Sequence, residues 1–577
     1  MSAVALATAA AAALACGVLG ACAGRGGPAG AARPPALPPE VAALRPVEQA
    51  AAARVLAARA RYAPRPLTRA ERTRYAETSR YADVVAFVDS LARLAPSVLR
   101  VSSMGATTEG RVIPVVVAAR PAVATPDEAR RLGRPVVYVQ ANIHAGEVEG
   151  KEALQMLLRD LALAPGPNVL DSLVLVAVPI YNGDGNERFR DQGVNRTEQN
   201  GPALVGQRAN ATGLDLNRDY IKAEAPETRA ALALFARWDP DVFVDLHTTD
   251  GSYHGYALTW SPSLHPSAPL APFNQDTLLP LVAERVRARW GLPTFPYGNF
   301  AEEYGADVNT DTTKQGWYTY DSRARFGTNY YGLRGRLSVL SEAFSHDPFE
   351  RRVRATYAFV DELLSALAAG GPDVHARAAG VAVEGGTTLA VRTRLTPMPR
   401  VGPVLAEDLA RAADSARTEA GVPRGLRRTG RVRAVRIPVY DRFVATRTAM
   451  LPGGGWAFGG DVPGAAQAVA LLQRHGVRVE RLDAPRAVDA AVFRADSVVT
   501  SPRPFQGHRE VRLEGVWGAA RRTLAAGSYV VPARQPLALL AAALLEPESD
   551  DGLVTWNGWD AALRPGGEFP VVRVVSR

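Results

Sequence analysis

The chain reads as an α/β protein, a mainly parallel mixed sheet covered by helices, with a C-terminal α+β or β-rich domain after it. Three observations predict this. Short runs rich in β-branched residues (Val112–Ala118, Val136–Gln140, Leu173–Ile180, Val242–Leu246, Leu337–Leu340) are apolar on both faces, as strands between two helical layers must be. Helical stretches, Glu149–Leu163 and Glu227–Trp238, alternate with them, which is the pattern of a parallel sheet with crossover helices. From about residue 369 the texture changes: strand-like pieces (Thr387–Leu395, Arg431–Tyr440, Val511–Gly515, Tyr529–Pro532) mix with two helical ones, Ala465–His475 and Pro536–Leu545.

In chain order, residues 1–22 form an apolar run ending in small residues, predicting an export signal. Its end, Leu19-Gly20-Ala21-Cys22, resembles a bacterial lipobox, so Cys22 is the expected lipidation site of a periplasmic or membrane-anchored protein. Residues 23–66, rich in Ala, Pro, Gly and Arg, predict a flexible spacer, with a short amphipathic helix within 46–60. A catalytic domain is expected over 67–368. It begins with a helix over Tyr81–Leu94, where Val84, Val85, Phe87, Val88, Leu91 and Leu94 recur at helical spacing. Residues 369–577 are the accessory domain, with Gly476 placed to cap the helix before it.

Composition excludes several functions. Of 577 residues 47% are hydrophobic and 22% charged, which fits a folded body and not a disordered chain. Beyond the N-terminal stretch no apolar run reaches the roughly 18–20 residues of a membrane span, leaving a lipid anchor as the expected membrane contact. Net charge is +9, but +7 of it lies in residues 23–81, so the remainder lacks the basic face that nucleic acid requires. Both cysteines, Cys16 and Cys22, precede the globular region, which removes thiol catalysis and cysteine-ligated metal from it. No G-x-S-x-G elbow supports a serine hydrolase, and the Gly-rich Gly453–Gly460 segment lacks the spacing of a phosphate cradle.

The polar residues that remain point to a metal. His144 and Glu147, three apart in the loop after the run Val136–Gln140, can converge on one cation, and His247 ends the run Val242–Leu246. Two histidines and a glutamate with an open fourth position form a donor set typical of hydrolytic zinc. Asp215 can accept the free ring N–H of His144, and Asn217-Arg218 can clamp a carboxylate, since a guanidinium binds one bidentately. Glu342, at the end of another apolar run, is a carboxylate that pays to be buried unless it has a role, such as general base.

The order His144-x-x-Glu147, Asn182-Gly-Asp184-Gly, Asp215-x-Asn217-Arg218, His247, a Tyr-rich loop and Glu342 resembles the M14 family of zinc carboxypeptidases, over roughly residues 70–365. The upstream Glu109-Gly-Arg111 resembles another segment of that family. The resemblance implies a zinc carboxypeptidase-like fold and one Zn2+ on His144, Glu147 and His247. It implies Glu342 as water activator and proton shuttle, and Asn217 and Arg218 as holders of the C-terminal carboxylate of a peptide. It also implies an oxyanion-stabilising arginine, for which Arg196 is chosen over Arg190 and Arg208, and a substrate-capping tyrosine, Tyr320 over Tyr318 and Tyr331. Asp219 beside the clamp suggests substrates with a nearby amine, and Arg323 or Arg325 an acidic terminal residue. His254 and His346 are close enough in sequence to line the cleft. The function expected is carboxypeptidase action. The alternatives are an amidohydrolase of the same family acting on cell-wall peptides or N-acyl amino acids, and a binding protein on a peptidase scaffold.

Overall fold

Alternating apolar runs and amphipathic stretches close into one eight-stranded sheet with helices on both faces. The computed structural model describes Leu56 and residues 65–301, 316–379, 386–411 and 426–575. The export signal, Cys22 and, apart from Leu56, the helix expected within 46–60 lie outside the described residues. The strands are β1 (Leu99–Ala106), β2 (Val112–Ala118), β3 (Val136–Ala141), β4 (Val174–Val178), β5 (Val242–Thr248), β6 (Leu258–Pro262), β7 (Thr294–Pro296) and β8 (Leu337–Ala343). Their spatial order is β1-β2-β4-β3-β5-β8-β6-β7. The four central strands, β4-β3-β5-β8, are mutually parallel, while β2 joins β4 and β6 joins β8 antiparallel. From β3 the chain moves to β4 on one side and then returns to β5 on the other, so the loops above β3 and β5 flank a topological switch point, where sites in such sheets collect.

Side chains alternate across each strand and build two cores. Val137, Val139, Val244 and Val339 face the helices Glu149–Leu163 (α1), Leu279–Trp290 (α2) and Phe349–Ala379 (α3). Tyr138, Val176 and Phe243 face the opposite way, toward the helices Pro226–Trp238 and Gly327–Leu333. Helix α1 is buried along almost its whole length, and its charged residues are partnered accordingly. Glu152 accepts from Thr78 and Ser79, and Lys151 donates to Asn186 and the Ser79 carbonyl.

The core on the Tyr138 face continues without a break into the C-terminal half, through Trp456, Phe458, Phe493 and Leu539. The two halves also share a sheet: Trp317–Tyr318 pairs in parallel with Val439–Tyr440. The boundary expected at 368/369 falls inside α3, which runs on to Ala379, because the Ala/Gly-rich stretch there keeps helical burial at Val374 and Ala378. The six-stranded C-terminal sheet carries a long antiparallel pair, Arg486–Thr500 with Val511–Leu524. Among the described residues no helix is long and apolar enough to cross a membrane.

Candidate metal centre and active site

Three strand ends supply the site. Beyond β3 the chain turns through Asn142, whose φ of 65° is left-handed, a conformation tolerated by Asn better than by most residues. The turn closes with Glu147 N–H donating to the His144 carbonyl at 3.0 Å. Gly146 allows this: a Cβ there would sit 2.7 Å from Arg196 Cγ and 2.8 Å from the Gly206 carbonyl oxygen. Asn182 braces the turn from outside, its amide reaching the carbonyls of Ile143 and Arg208, each at 3.2 Å. Asp184, in the same Asn-Gly-Asp-Gly turn, is wholly buried and ties down Arg111, Thr107 and the Glu109 N–H.

His144 Nδ1 lies 3.0 Å from Glu147 Oε1, and His247 Nδ1, at the end of β5, lies 2.9 Å from Glu147 Oε2. All three side chains are buried, and one donor atom from each falls within 4.8 Å of the others. The opposite ring nitrogens are occupied. His144 Nε2 is 2.9 Å from Asp215 Oδ1, and His247 Nε2 is 3.0 Å from Asp245 Oδ2. Carboxylates behind both rings leave both Nδ1 atoms facing one point, and a neutral-imidazole pair with a carboxylate fits a zinc ion. Asp245 was not singled out from the sequence, although its spacing of two from His247 on a strand puts both side chains on one face.

Burial works against charge on Glu147, but His144, Arg196 and His247 outweigh it and hold its carboxyl well below the usual range. Glu342 stands opposite. It ends β8 in register with His247, and burial raises its carboxyl well above the ordinary range, with His247 opposing and Glu147 and Asp250 adding. Its Oε2 has no hydrogen-bond partner among the described residues.

These residues open on a cleft of about 480 Å³, lined also by Arg208, Asn217, Arg218, Asp250, Tyr297, Tyr320, Phe326 and Thr328. Asp215 caps the short turn Leu216–Arg218 and accepts Arg208 Nε at 2.9 Å. Arg218 stacks over Phe326 at 4.0 Å, and Asn217 Oδ1 accepts from the Gly327 N–H. Tyr320 leans edge-on to Tyr297 and Phe326, with its hydroxyl unpartnered among the described residues. Of the rival tyrosines, Tyr318 stacks on Tyr440 and Tyr331 is packed between Phe235 and Phe243; neither lines the cleft.

Four expectations are corrected by the geometry. Arg196 sits behind Glu147, donating to its Oε1 at 3.1 Å and to the carbonyls of Thr248 and Thr249, whereas Arg208 is the arginine of that loop on the cleft wall. Arg325 is buried between Glu510 and Asp551 of the C-terminal half, and Arg323 pairs with Asp321, so neither reaches the cleft. Asp219 turns inward to Lys222 Nζ and the N–H groups of Glu224 and Ala225, and adds no free charge beside Arg218. His254 bridges to Ala406, and His346 stacks on Tyr253 and meets the Gly251 carbonyl; both are outside the cleft. Sequence spacing could not separate Arg196 from Arg208, because what decides is which of them the folded loop places on the cleft wall.

A switch-point α/β sheet with a His/Glu/His donor set and a buried carboxylate beside it defines a metal-dependent hydrolase. Residues 84–322 match the family "Zinc carboxypeptidase", which indicates a zinc metallopeptidase over that segment. The chain is 24% identical over 456 residues to Carboxypeptidase 2 of Trichophyton tonsurans, covering 76% of each. It is 30% identical over 153 residues to human Carboxypeptidase D, which is 25% of this chain and 10% of that one. Among solved structures it is similar to a metallo-carboxypeptidase from Burkholderia cenocepacia, at TM-score 0.36 and 19% identity, covering 50% of this chain and 69% of the other.

Proposed function

We propose that the chain removes C-terminal residues from peptides as a zinc carboxypeptidase. The observation that carries this reading is that one cleft is lined both by His144, Glu147, His247 and Glu342 and by Arg208, Asn217 and Arg218. His144, Glu147 and His247 would hold one zinc ion, which when bound supplies Lewis-acid polarisation of a carbonyl and acidification of water.

Asn217 and Arg218 bind the substrate's terminal carboxylate, and stacking on Phe326 fixes the guanidinium plane for a bidentate grip. Arg208, anchored through Nε on Asp215, stabilises the charge that develops on the scissile carbonyl oxygen. Glu342, through its unpartnered Oε2, takes a proton from water and delivers it to the leaving amine. Tyr320 covers the bound residue from the open side and contributes its hydroxyl. Asp215, bonded to His144 Nε2, keeps that ring in the tautomer that presents Nδ1, and Asp245 lies 3.0 Å from His247 Nε2. Catalysis resides in residues 67–379, ending with α3. The apolar run 1–22 supports export, with lipidation at Cys22.

The test is the zinc-loaded chain lacking residues 1–22, given peptides in free-acid and C-terminally amidated forms and read by mass spectrometry. Loss of single residues from the free acids only, abolished by Glu342→Ala, is the expected result. Internal cuts, or cleavage confined to muropeptides or N-acyl amino acids, would overturn the carboxypeptidase reading.

A further inference from the structure

The long C-terminal pair, Arg486–Thr500 with Val511–Leu524, carries a second, smaller hairpin at its end, and this meets the catalytic segment. Phe505 and His508 exchange backbone hydrogen bonds of 2.7 and 3.0 Å around a two-residue turn, Gln506-Gly507. Both central residues have positive φ, 50° and 83°. Glycine meets that requirement freely and Asn or Asp nearly so; glutamine meets it at a cost, so the turn alone does not account for Gln506.

Its side chain does. Gln506 Oε1 accepts the backbone N–H of Asp215 at 2.9 Å, across 291 residues of chain. Asp215 opens the turn that carries Asn217 and Arg218, and its carboxylate holds both His144 Nε2 and Arg208 Nε. One hydrogen bond from the accessory half therefore reaches the residue to which a metal-facing histidine, the oxyanion arginine and the carboxylate clamp are all connected. The hairpin is secured beside this contact: His508 Nε2 lies 2.8 Å from Glu224 Oε1, and Glu510 accepts from Arg325 at 2.6 Å.

We infer that Gln506 is a positioning residue of the active site, and that the C-terminal half completes that site by holding the Asp215–Arg218 turn in place. The inference rests on the carboxypeptidase reading for its kinetic consequence, though not for its effect on metal binding. Gln506→Gly removes the acceptor and suits the left-handed backbone, so the fold is not penalised. Gln506→Glu retains an acceptor of the same length.

The full chain from residue 23 is measured in three ways: KM and kcat on a free-acid peptide, zinc affinity by competition with a chelator, and thermal midpoint. Gln506→Gly is expected to raise KM about 3- to 10-fold, the worth of one such hydrogen bond, with a smaller fall in kcat. Zinc should weaken by about 3-fold, less than when a histidine's own partner is lost. The thermal midpoint should be unchanged, and Gln506→Glu should return KM and zinc affinity to within about 2-fold of the parent, since it keeps the bond. Parent-like KM and zinc affinity in Gln506→Gly would overturn the inference. So would a lowered thermal midpoint in both variants with no rescue by Gln506→Glu, which marks a purely structural contact. If the parent cleaves no free-acid peptide, the functional reading fails, and the zinc measurement alone decides the role of Gln506.

Discussion

Glu342 and His247 are direct partners on adjacent parallel strands, paired residue for residue along β8 and β5. In-register neighbours point to the same side of a sheet, so one pairing sets the distance between a metal-facing imidazole and a carboxylate that is not among the three donors. Glu342→Gln keeps shape and removes the proposed base. The expected outcome is a fall in kcat of about 10²- to 10⁴-fold with zinc affinity held within about 3-fold. Steady-state kinetics beside a chelator competition would check it; a parallel loss of zinc would make Glu342 a ligand instead.

Arg196 and Arg208 both approach Glu147 Oε1, at 3.1 and 3.4 Å, but only Arg208 lines the cleft. Arg208→Ala should lower kcat by about 10²- to 10³-fold and leave zinc affinity nearly intact, the signature of a lost oxyanion donor. Arg196→Ala removes a buried cation from behind a ligand carboxylate, so its expected effect is a 10- to 100-fold loss of zinc affinity, as for other outer partners of metal ligands. Equal effects of the two on kcat at saturating zinc would remove the distinction.

Much of this was legible in the sequence, and the exceptions have physical causes. Central strands buried on both faces advertise themselves, and β2, β3, β4, β5 and β8 fall on the apolar runs. β1, β6 and β7 do not: β1 is solvent-facing over most of its length, and β6 carries Thr, Trp, Ser and Pro, so neither shows a continuous apolar run. His144, Glu147, His247 and Glu342 were visible because each lies at the end of such a run or in the loop just after it. Arg208, Asp245 and Gln506 act through contacts made at distances of 61, 2 and 291 residues, and only the second of these has a local spacing signal.

Arg325 gives a prediction opposite to the one its position in the sequence suggests. Its guanidinium is buried, bonded to Glu510 at 2.6 Å and Asp551 at 3.0 Å, and stacked 4.5 Å over Trp556. Arg325→Ala should leave the ratio of cleavage after Glu and Leu termini unchanged. It should destabilise the protein by about 3–5 kcal/mol, because two carboxylates of the C-terminal half lose their shared cation. Paired terminal-residue assays and a urea titration would show both effects; a changed Glu-to-Leu ratio without loss of stability would restore a specificity role.

Acid should loosen the molecule before its ordinary surface carboxylates protonate. Burial holds His254, His346 and His475 down to about 3, and His265 to about 4, against an ordinary 6.5. His475 shows why. Its Nε2 lies 3.0 Å from the Ile221 carbonyl and its Nδ1 2.7 Å from the Tyr330 hydroxyl, a neutral ring donating at one nitrogen and accepting at the other. Above about pH 6.5 folded and unfolded chains are both neutral at these positions and no cost arises. As pH falls below that value the unfolded chain takes up protons that the folded chain refuses, so stability declines by on the order of 1.4 kcal/mol per pH unit for each such histidine until pH approaches the folded values near 3 to 4. His508 acts in the other direction: its bond to Glu224 raises it above 6.5, so it adds stability in acid that is lost as pH rises through its folded value. In the metal-free chain His247, lowered by burial but raised further by Asp245 and Glu147, acts with His508; two such groups cannot offset four buried ones, and the denaturant midpoint should fall steadily between pH 7 and 5. His475→Gln, which removes one of the four groups, should show a shallower fall over the same range even if its midpoint at pH 7 is lower; an equal slope would mean that His475 is protonated in the folded protein.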